Sequence, residues 1–321
     1  MKPDARWLAA AACLAERARP LSRPNPAVGA IVVRDGIVVG RGWTQTGGRP
    51  HAEAVALAQA GDQARGATLY VTLEPCAHRS ARGPACADLA AASGLARVVA
   101  GVEDPDPRTA GAGLARLRSA GIDAVLADDA SSRASLAGYL TRQRRGRPFV
   151  TLKLALTADG FIARPDGSSR WITGETARAH AHRERARNDA ILVGGGTLRT
   201  DDPRLDVRLP GLEERSPKRL VLTRGAAPPG WQPLADPDAV RGLDGQYLLV
   251  EGGAAVADAF LSADLVDRLL LYRAPVEFRE GIRAFPQAGP GGVPPGWNLA
   301  ERRQLGSDTL EVYTRAQSEG G

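Results

Sequence analysis

The order of apolar segments is the feature that most constrains how this chain can fold. Short apolar runs of strand length alternate with longer segments of helical character, on both sides of an arginine-rich stretch, 142–147, that precedes Pro148. Such alternation is typical of α/β domains, in which helices cover a sheet. The 321 residues are also enough for two domains. The sequence therefore predicts two α/β domains, residues 1–146 and 147–321, with a solvated linker or helix end between them.

Turn signals and apolar runs place individual elements in both halves. Apolar runs at 27–33 and 37–40 flank Asp35-Gly36, a dipeptide that favours a type I′ hairpin turn. The other elements predicted for the first half are strands at 67–73, 96–102 and 123–127 and helices at about 51–60, 86–93 and 111–120. Those predicted for the second half are strands at 149–156, 189–193, 219–223, 247–250, 266–272 and 309–314 and helices at about 174–187 and from 254. Segment 225–245, rich in Pro, Gly and Asp, is predicted to be a loop.

Positive charge is concentrated in the first half of the chain. Residues 1–147 carry 20 basic and 13 acidic residues, whereas residues 148–321 carry 22 and 23. A basic domain favours an anionic ligand, and composition alone leaves both a phosphate monoester and a nucleic acid open. Base-flipping enzymes need aromatic platforms along a basic groove. Because the first half has only four aromatic residues, we expect a small-molecule partner and no nucleic acid.

Cysteine content and hydropathy indicate the compartment. Cys13, Cys76 and Cys86 can form at most one disulfide, which fits a reducing compartment or a metal site. The apolar stretch 7–14 is followed at once by charged residues, so it predicts a first helix and not a signal peptide. No window approaches the ~18–20 apolar residues of a membrane-spanning helix. We expect a cytoplasmic protein without a membrane partner, and the sequence leaves its oligomeric state, including a homo-oligomer, open.

A set of potential metal ligands occurs at predicted element ends in the first half. His51-Ala52-Glu53 begins a helix, Glu74-Pro75-Cys76 ends a strand, and Cys86 opens another helix. One imidazole and two thiolates leave the fourth position of tetrahedral zinc open. Glu53 lies two residues from His51, so it can act as a proton shuttle without being a ligand. This is the zinc deaminase signature; the alternative is a helix-cap histidine with two buried thiols.

The segment between the two cysteines departs from the common signature, where two residues separate them. Nine residues, 77–85, lie between Cys76 and Cys86, and they include His78, Arg79 and Arg82. Two arginines beside a zinc site suit a phosphate group on the substrate. A solvent-facing basic loop is the alternative, and for His78 a hydrogen bond within the loop is favoured over metal ligation.

At this point the motifs resemble a known family, the bifunctional riboflavin biosynthesis proteins. In that family a diaminohydroxyphosphoribosylaminopyrimidine deaminase is fused to a 5-amino-6-(5-phosphoribosylamino)uracil reductase. The matching motifs of the first half are Pro24-Asn25-Pro26, His51-Ala-Glu53-Ala, Thr72-Leu-Glu74-Pro-Cys76 and Glu103-Asp104-Pro-Asp106-Pro. Those of the second half are Leu152-Lys153-Leu154-Ala155, Ser169-x-Trp171, Asp201-Asp202-Pro203 and Glu251-Gly-Gly253. The resemblance implies a cytidine-deaminase-like α/β/α sandwich with zinc, followed by a dihydrofolate-reductase-like α/β domain.

The resemblance also implies a reaction and its residues. The reaction is zinc-dependent hydrolytic deamination of a phosphoribosylaminopyrimidine, followed by NADPH-dependent reduction of its ribosyl group to ribityl. The implied zinc ligands are His51, Cys76 and Cys86, with Glu53 as the proton shuttle. The implied substrate-binding residues are Asn25, Arg82, Ser169, Arg185, Leu205, Arg208 and Glu251. The implied cofactor-binding residues are Ala155, Trp171, Thr197, Asp201 and Gly253.

Two departures from the family pattern bear on function. Thr44 stands where a histidine is expected shortly before the metal-ligand histidine. The stretch between the strands at 219–223 and 247–250 is short, which predicts a reduced wall on the adenosine side of NADPH. Arg224 is expected to meet the 2′-phosphate of the cofactor and offset part of that loss. The alternative function is a deaminase alone, with a catalytically silent C-terminal domain.

Overall fold

The chain forms two structural units, Met1–Gly146 and Arg147–Gly321. The computed structural model describes residues 3–78, 82–168, 172–286 and 292–316. Each unit has its own sheet and its own hydrophobic core. Among the helices of the described residues, none combines the length and the hydropathy needed to cross a membrane.

The sheet of the first unit has the order β2-β1-β3-β4-β5 within the described residues. Its strands are β1 Gly29–Arg34, β2 Ile37–Trp43, β3 Thr68–Leu73, β4 Arg97–Val102 and β5 Asp123–Leu126. β1 is antiparallel to both β2 and β3, and β3, β4 and β5 are mutually parallel. The predicted hairpin is confirmed, because Asp35 and Gly36 both have the positive φ, 50° and 76°, that a type I′ turn requires.

Helices cover both faces of this sheet. They are α1 Pro3–Ala15, α2 Ala52–Ala60, α3 Cys86–Ala92, α4 Ala112–Ser119, α5 Ala130–Ser135 and α6 Ala137–Arg145. The alternation of strand side chains separates two cores, one with α1 around Ile31 and Val33 and one with α2 around Ala30 and Val32. The first unit is therefore an α/β/α sandwich, as predicted.

Two glycines of β2 allow α2 to lie directly against the sheet. A Cβ atom on Gly40 would lie 2.1 Å from the Ala56 carbonyl oxygen, and one on Gly42 would lie 2.3 Å from the Ala52 carbonyl oxygen. Any larger residue would push the helix away from the strand. This close approach fixes the position of the α2 N-terminus, where the predicted metal-ligand histidine and proton shuttle lie.

The second unit is built on a larger, mostly parallel sheet. The strands of the second unit are β6 Phe149–Leu156, β7 Phe161–Ala163, β8 Ala190–Gly194, β9 Lys218–Leu222, β10 Trp231–Leu234, β11 Tyr247–Val250, β12 Arg268–Arg273, β13 Ile282–Arg283, β14 Trp297–Leu305 and β15 Asp308–Arg315. Its helices are α7 Glu175–Arg185, α8 Gly195–Asp201 and α9 Ala254–Ser262. Within the described residues the main sheet has the order β10-β9-β8-β11-β6-β12-β15-β14, with antiparallel pairing only at β15 and β14.

The prediction that 225–245 is a loop was wrong. Trp231–Leu234 forms β10, which pairs in parallel with β9 at the sheet edge, and Pro237–Gly242 forms a 3-10 turn. Pro233 concealed the strand, since proline is tolerated only on edge strands or at bulges. The short stretch between β9 and β11 therefore still contains one strand and one 3-10 turn.

The arginine-rich stretch between the units was only partly predicted. Arg144 and Arg145 are exposed at the end of α6, which is the predicted helix end. Arg147 is buried instead of solvated, and its guanidinium donates two hydrogen bonds to Asp267, at 2.6 and 2.9 Å. Asp267 also accepts the backbone N–H of Val150 at 2.8 Å. The last arginine of the stretch thus anchors the start of β6.

Candidate active sites

The three predicted metal ligands come together in the first unit. His51 precedes α2, Cys76 follows β3, and Cys86 opens α3, and their ligand atoms all lie within 4.8 Å of one another. His51 Nδ1 lies 3.3 Å from Cys86 Sγ and 3.6 Å from Cys76 Sγ. A tetrahedral zinc ion with bonds of about 2.3 Å to sulfur and 2.0–2.1 Å to nitrogen separates such atoms by about 3.5 Å. The donor set and its spacing therefore fit zinc with one position left open.

Charge at the cluster favours metal binding. The pKa of Cys76 is lowered, chiefly because the Cys86 thiol donates a hydrogen bond to it and also because His51 lies beside it. The backbone N–H of Cys86, at the start of α3, points at Cys76 Sγ from 3.3 Å. A thiolate at this position is the form that binds a metal ion.

Glu53 lies in the first turn of α2 and is buried, with 3% of its surface exposed. Burial raises the pKa of Glu53 to about 7, and the neighbouring Cys76 adds to the rise, whereas His51 opposes it. A carboxyl group with a pKa near neutrality can both accept and release a proton. Its position beside the ligand cluster suits the predicted proton shuttle.

Glu74 connects the strand end that carries Cys76 to the next loop. Its buried carboxylate accepts the backbone N–H groups of Gly111 at 2.9 Å, Leu114 at 3.0 Å and Asp104 at 3.4 Å. Gly111 caps α4 without any side-chain hydrogen bond of its own. Glu74 therefore satisfies the N-terminal N–H groups of that helix and holds the loop of the Glu103–Asp106 motif against the strand end.

A pocket of about 300 Å³ opens beside the ligand cluster. Its lining includes His51, Cys86, Arg82 and Arg49. Arg82 is exposed, and its Nη1 donates a hydrogen bond to the Gly47 carbonyl at 3.0 Å. The candidate phosphate-binding arginine thus lies at the mouth of the pocket, whereas Arg79 falls outside the described residues.

The remaining predicted residues of this half surround the cluster. The Asn25 amide nitrogen lies 2.9 Å from the Gly48 carbonyl and 3.0 Å from His51 Nε2, so it contacts the back of the metal-ligand ring. His78 Nδ1 lies 3.4 Å from Thr109 Oγ1, so the contact reaches outside the 77–85 loop to the segment before α4. Thr44, which replaces the expected histidine, is buried and accepts the Val28 N–H at 3.0 Å.

A second cluster of charges lies in the second unit, where β6, β11 and α7 meet. The Glu251 carboxylate, directly after β11, accepts hydrogen bonds from Arg185 Nε at 2.8 Å and Nη2 at 3.0 Å. Lys153 Nζ lies 3.6 Å from the same carboxylate, and the side chains of all three residues are less than 20% exposed. Although burial alone would raise the pKa of Glu251, Lys153 and Arg185 hold it at about 2.

An aromatic residue supports this cluster. Lys153 Nζ lies 5.6 Å from the ring centre of Tyr272, in cation–π range. The Tyr272 hydroxyl lies 2.8 Å from His180 Nδ1, and burial lowers the pKa of His180 to about 4, so the imidazole is neutral. The ammonium of Lys153 is therefore held between a carboxylate and an aromatic face.

The other predicted substrate residues of this unit lie on the segment after α8. Arg185 Nη1 donates to the Asp206 carbonyl at 3.1 Å, which brings that segment to α7. Leu205 is buried with a positive φ of 52°. Arg208 keeps its guanidinium 57% exposed, with Nε 3.4 Å from Asp206 Oδ1, so it can reach a ligand phosphate.

The predicted cofactor residues lie in β6, in α8, at the start of α9 and after β9. Ala155 pairs with Tyr272 in the sheet, Thr197 is in α8, and Asp201 is exposed at the end of that helix. Gly253 caps α9 without a side-chain hydrogen bond, and a Cβ atom there would meet nothing within 4 Å, so a pyrophosphate can approach the backbone. Arg224 is exposed just after β9. Ser169 and Trp171 lie outside the described residues.

Two further residues at these sites had no role assigned from the sequence. Arg49 lines the pocket of the first unit. The sequence feature that could have indicated it is its position, since it is a basic residue only two residues before the metal-ligand histidine. Lys153 was part of a recognised motif without a function, although it is the only charged residue of the apolar strand 149–156. A charge inside an otherwise buried strand usually needs a buried partner, which here is Glu251.

Comparisons with known proteins match a family to each half of the chain. A family model described as the cytidine and deoxycytidylate deaminase zinc-binding region matches residues 1–102, and one described as the RibD C-terminal domain matches residues 148–310. The riboflavin biosynthesis protein RibD of Escherichia coli strain K12 is 37% identical, over 95% of this chain and 97% of that protein. The RibD protein of Haemophilus influenzae is 35% identical, over 94% of each chain.

Solved structures extend the likeness to the fold of the whole chain. Acinetobacter baumannii RibD, form 1, has a TM-score of 0.84 at 33% identity, covering 98% of this chain and 99% of that one. A diaminohydroxyphosphoribosylaminopyrimidine deaminase/5-amino-6-(5-phosphoribosylamino)uracil reductase from Thermotoga maritima has a TM-score of 0.85 at 30% identity, with the same coverage. These matches confirm the fold predicted for both halves. The chain therefore belongs to the RibD family of riboflavin biosynthesis proteins, and it joins a zinc-dependent deaminase half to an NADPH-dependent reductase half.

Proposed function

We propose that the first unit deaminates 2,5-diamino-6-(5-phosphoribosylamino)pyrimidin-4-one and that the second unit then reduces the ribosyl group of the product to ribityl. The observation that carries the proposal is the convergence of His51, Cys76 and Cys86 beside the buried carboxyl group of Glu53. A site of this composition does hydrolytic chemistry on an amino-substituted ring. The basic pocket next to it suits a phosphorylated substrate.

In the deaminase half, His51, Cys76 and Cys86 would hold the metal, and Glu53 would move the protons. When bound, zinc supplies the Lewis acidity that activates water near neutral pH. Glu53 takes a proton from the attacking water and delivers it to the departing amino group, which leaves as ammonia. Because Glu53 is buried beside the ligand cluster, the same carboxyl group can do both. Arg82 binds the substrate phosphate at the pocket mouth, and Asn25, which contacts the His51 ring, is the residue proposed to bind the pyrimidine edge.

In the reductase half, the charged cluster would orient the sugar and supply a proton. NADPH supplies the hydride, and Gly253 at the start of α9 leaves the backbone open to its pyrophosphate. The ribose ring oxygen gains a proton as the ring opens, and the Lys153 ammonium is a donor held in place by Glu251 and Tyr272. Arg208, with its exposed guanidinium, binds the ribose phosphate.

The alternative of a silent C-terminal domain is disfavoured by this same cluster. Three largely buried charges, Lys153 on β6, Arg185 on α7 and Glu251 after β11, cost desolvation energy, and replacing them with apolar residues would be neutral or stabilising in a purely structural domain. Their presence indicates a ligand-binding role. The shortened stretch before β11 also keeps a strand, β10, which supports a cofactor site at this sheet edge.

The decisive experiment gives purified protein the diaminopyrimidine substrate and, separately, the deaminated phosphoribosyl intermediate. We expect ammonia release with the first and NADPH oxidation with the second. A chelator should abolish ammonia release and spare NADPH oxidation, because the ligand cluster and the charged cluster belong to different units. Loss of both activities on chelation would contradict the assignment, and NADPH oxidation that never occurs would restore the silent-domain alternative.

A further inference from the structure

Arg49 is a charged residue of the deaminase pocket, and the proposed function assigns it no role. It lies two residues before His51, is half-buried, and lines the pocket of about 300 Å³ together with His51 and Arg82. Within residues 3–78, 82–168, 172–286 and 292–316, its guanidinium makes no hydrogen bond and no ion pair. A half-buried arginine normally has a carboxylate or carbonyl partner, so this one is left with donors to offer to a ligand.

Arg49 and Arg82 lie at the same rim of the pocket. Arg82 donates a hydrogen bond to the Gly47 carbonyl, on the turn that leads into Arg49. A Cβ atom on Gly83, the next residue after Arg82, would lie 3.1 Å from Arg49 Nη1, so the Arg49 guanidinium passes directly over Gly83. Gly83 has a φ of 142°, a backbone conformation that residues with a side chain rarely adopt. Because of this φ and this contact, only glycine fits at position 83. The two segments thus bring two guanidinium groups to one edge.

The charges around Arg49 favour an anion there. The guanidinium stands close enough to His51 for their charges to interact, and a zinc ion bound by His51 and the two thiolates would balance their charge, so the same wall would not repel an anion. In the part of the chain that the structure describes, no carboxylate pairs with Arg49 to offset its charge. A dianionic phosphate, with three acceptor oxygens, would satisfy both guanidinium groups at once.

We propose that Arg49 is a second phosphate-binding residue of the deaminase half, which together with Arg82 grips the phosphate of the ribose and makes the half selective for phosphorylated substrate. This inference rests on the proposed function and names the residue that sets its specificity. The Arg49 guanidinium group binds the phosphate from the side of the α2 N-terminus. The Arg82 guanidinium group binds it from the side of the loop before α3.

The test compares Arg49→Gln and Arg49→Lys with wild-type zinc-loaded protein on two substrates, the phosphorylated diaminopyrimidine and its dephosphorylated riboside. Hydrogen bonds to charged groups correspond to about 10- to 150-fold in binding. We expect KM for the phosphorylated substrate to rise by that factor in Arg49→Gln and less in Arg49→Lys, which keeps the charge but not the guanidinium group. The kcat/KM of the riboside should not change. Equal losses on both substrates, or no change on either, would overturn the proposal.

Controls separate a specific effect from a folding defect. Arg41→Gln removes the same charge from an exposed position on β2 and should leave both substrates unaffected. Zinc content and NADPH oxidation, measured on the same Arg49→Gln preparation, report whether each unit is folded. In the Arg49→Gln/Arg82→Gln double variant the two losses should be non-additive, since residues that share a partner couple. Strict additivity would show that the two arginines bind different groups.

A titration with ribose 5-phosphate keeps this inference independent of turnover. The zinc-loaded chain should bind ribose 5-phosphate at a site that is lost in Arg49→Gln and kept in Arg41→Gln. If wild-type protein releases no ammonia yet shows this Arg49-dependent site, the proposed substrate fails and the anion site stands. If wild-type protein is active but the titration is identical in Arg49→Gln, the proposed function stands and the Arg49 site is refuted.

Discussion

The Arg185 guanidinium and the Glu251 carboxylate form a two-pronged ion pair, with Nε and Nη2 at 2.8 and 3.0 Å from the two carboxylate oxygens. Lys153 approaches the same carboxylate at 3.6 Å, so one buried anion balances two cations. The arrangement joins α7, β6 and the end of β11. Its electrostatics can be tested by removing the single negative charge.

Glu251→Gln should damage the reductase half alone. The change leaves two buried cations without a counter-charge, which costs about 3–5 kcal/mol in unfolding free energy. NADPH oxidation should fall by about 10²-fold or more, because Lys153, the proton donor, loses the carboxylate that positions it. Ammonia release should continue. Thermal unfolding and the two assays check this. Glu301→Gln is the control, because that side chain is 50% exposed and paired only with Arg303; equal destabilisation by the two variants would contradict the role given to Glu251.

Glu251 also predicts an acid dependence of stability. Its pKa in the folded protein is about 2, below the ordinary value of 4.5. The stabilisation that it provides is fully present above about pH 4.5 and is lost as the pH falls from there through 2, because only the unfolded chain takes up the proton early. The contribution is on the order of 3 kcal/mol. Denaturant unfolding across this window should show a fall in wild type that is about 3 kcal/mol smaller in Glu251→Gln, where the other carboxylates still titrate; parallel profiles would refute it.

Glu53→Gln should stop deamination without loss of zinc. The amide cannot carry the proton from water to the departing amine, whereas the three ligand side chains are untouched. Ammonia release should fall by about 10²- to 10⁴-fold, with zinc content and NADPH oxidation at the wild-type level. Metal analysis and both assays on one preparation decide this. Zinc loss in the variant would make Glu53 a ligand, and retained turnover would remove it from the mechanism.

Glu74→Gln tests how the segment of residues 104–114, which ends in the first turn of α4, is held in place. The amide offers an N–H group where the carboxylate accepts one, so a backbone N–H of Gly111 or Leu114 loses its acceptor, at a cost of about 1–3 kcal/mol. We expect KM for deamination to change more than zinc content, because the loop and not the ligand set is displaced. Glu16→Gln, at a partly exposed pair with Arg19, is the matched control. A loss of zinc equal to the loss of activity would instead mean that Glu74 supports the metal site itself.

Arg224→Ala should weaken NADPH binding and leave NADH binding unchanged. The exposed guanidinium follows β9, where it can meet the 2′-phosphate that only NADPH carries. A charge-assisted hydrogen bond of this kind corresponds to about 10-fold or more in affinity. Fluorescence titration with both cofactors measures the difference, and Arg241→Ala, at another exposed arginine of this unit, is the control. Equal weakening for both cofactors would assign Arg224 to structure.

The sequence predicted best where one residue type has few physical alternatives. Asp35-Gly36 predicted a hairpin because two positive φ angles are needed there, and His51, Cys76 and Cys86 predicted a metal site because thiols and an imidazole at element ends have few other uses. It failed where the governing partner is distant. Arg147 was expected in solvent because nothing local indicates Asp267, and β10 was missed because its pairing with β9, and not its composition, makes it a strand.

The buried pair of Arg147 and Asp267 also determines where the chain can be divided. A reductase half that begins at Arg147 keeps both hydrogen bonds to Asp267, whereas one that begins a single residue later, at Pro148, loses both of them. One residue at the cut thus decides whether the fragment keeps the contact that anchors its first strand. Any attempt to transplant this half onto another deaminase has to carry Arg147 with it.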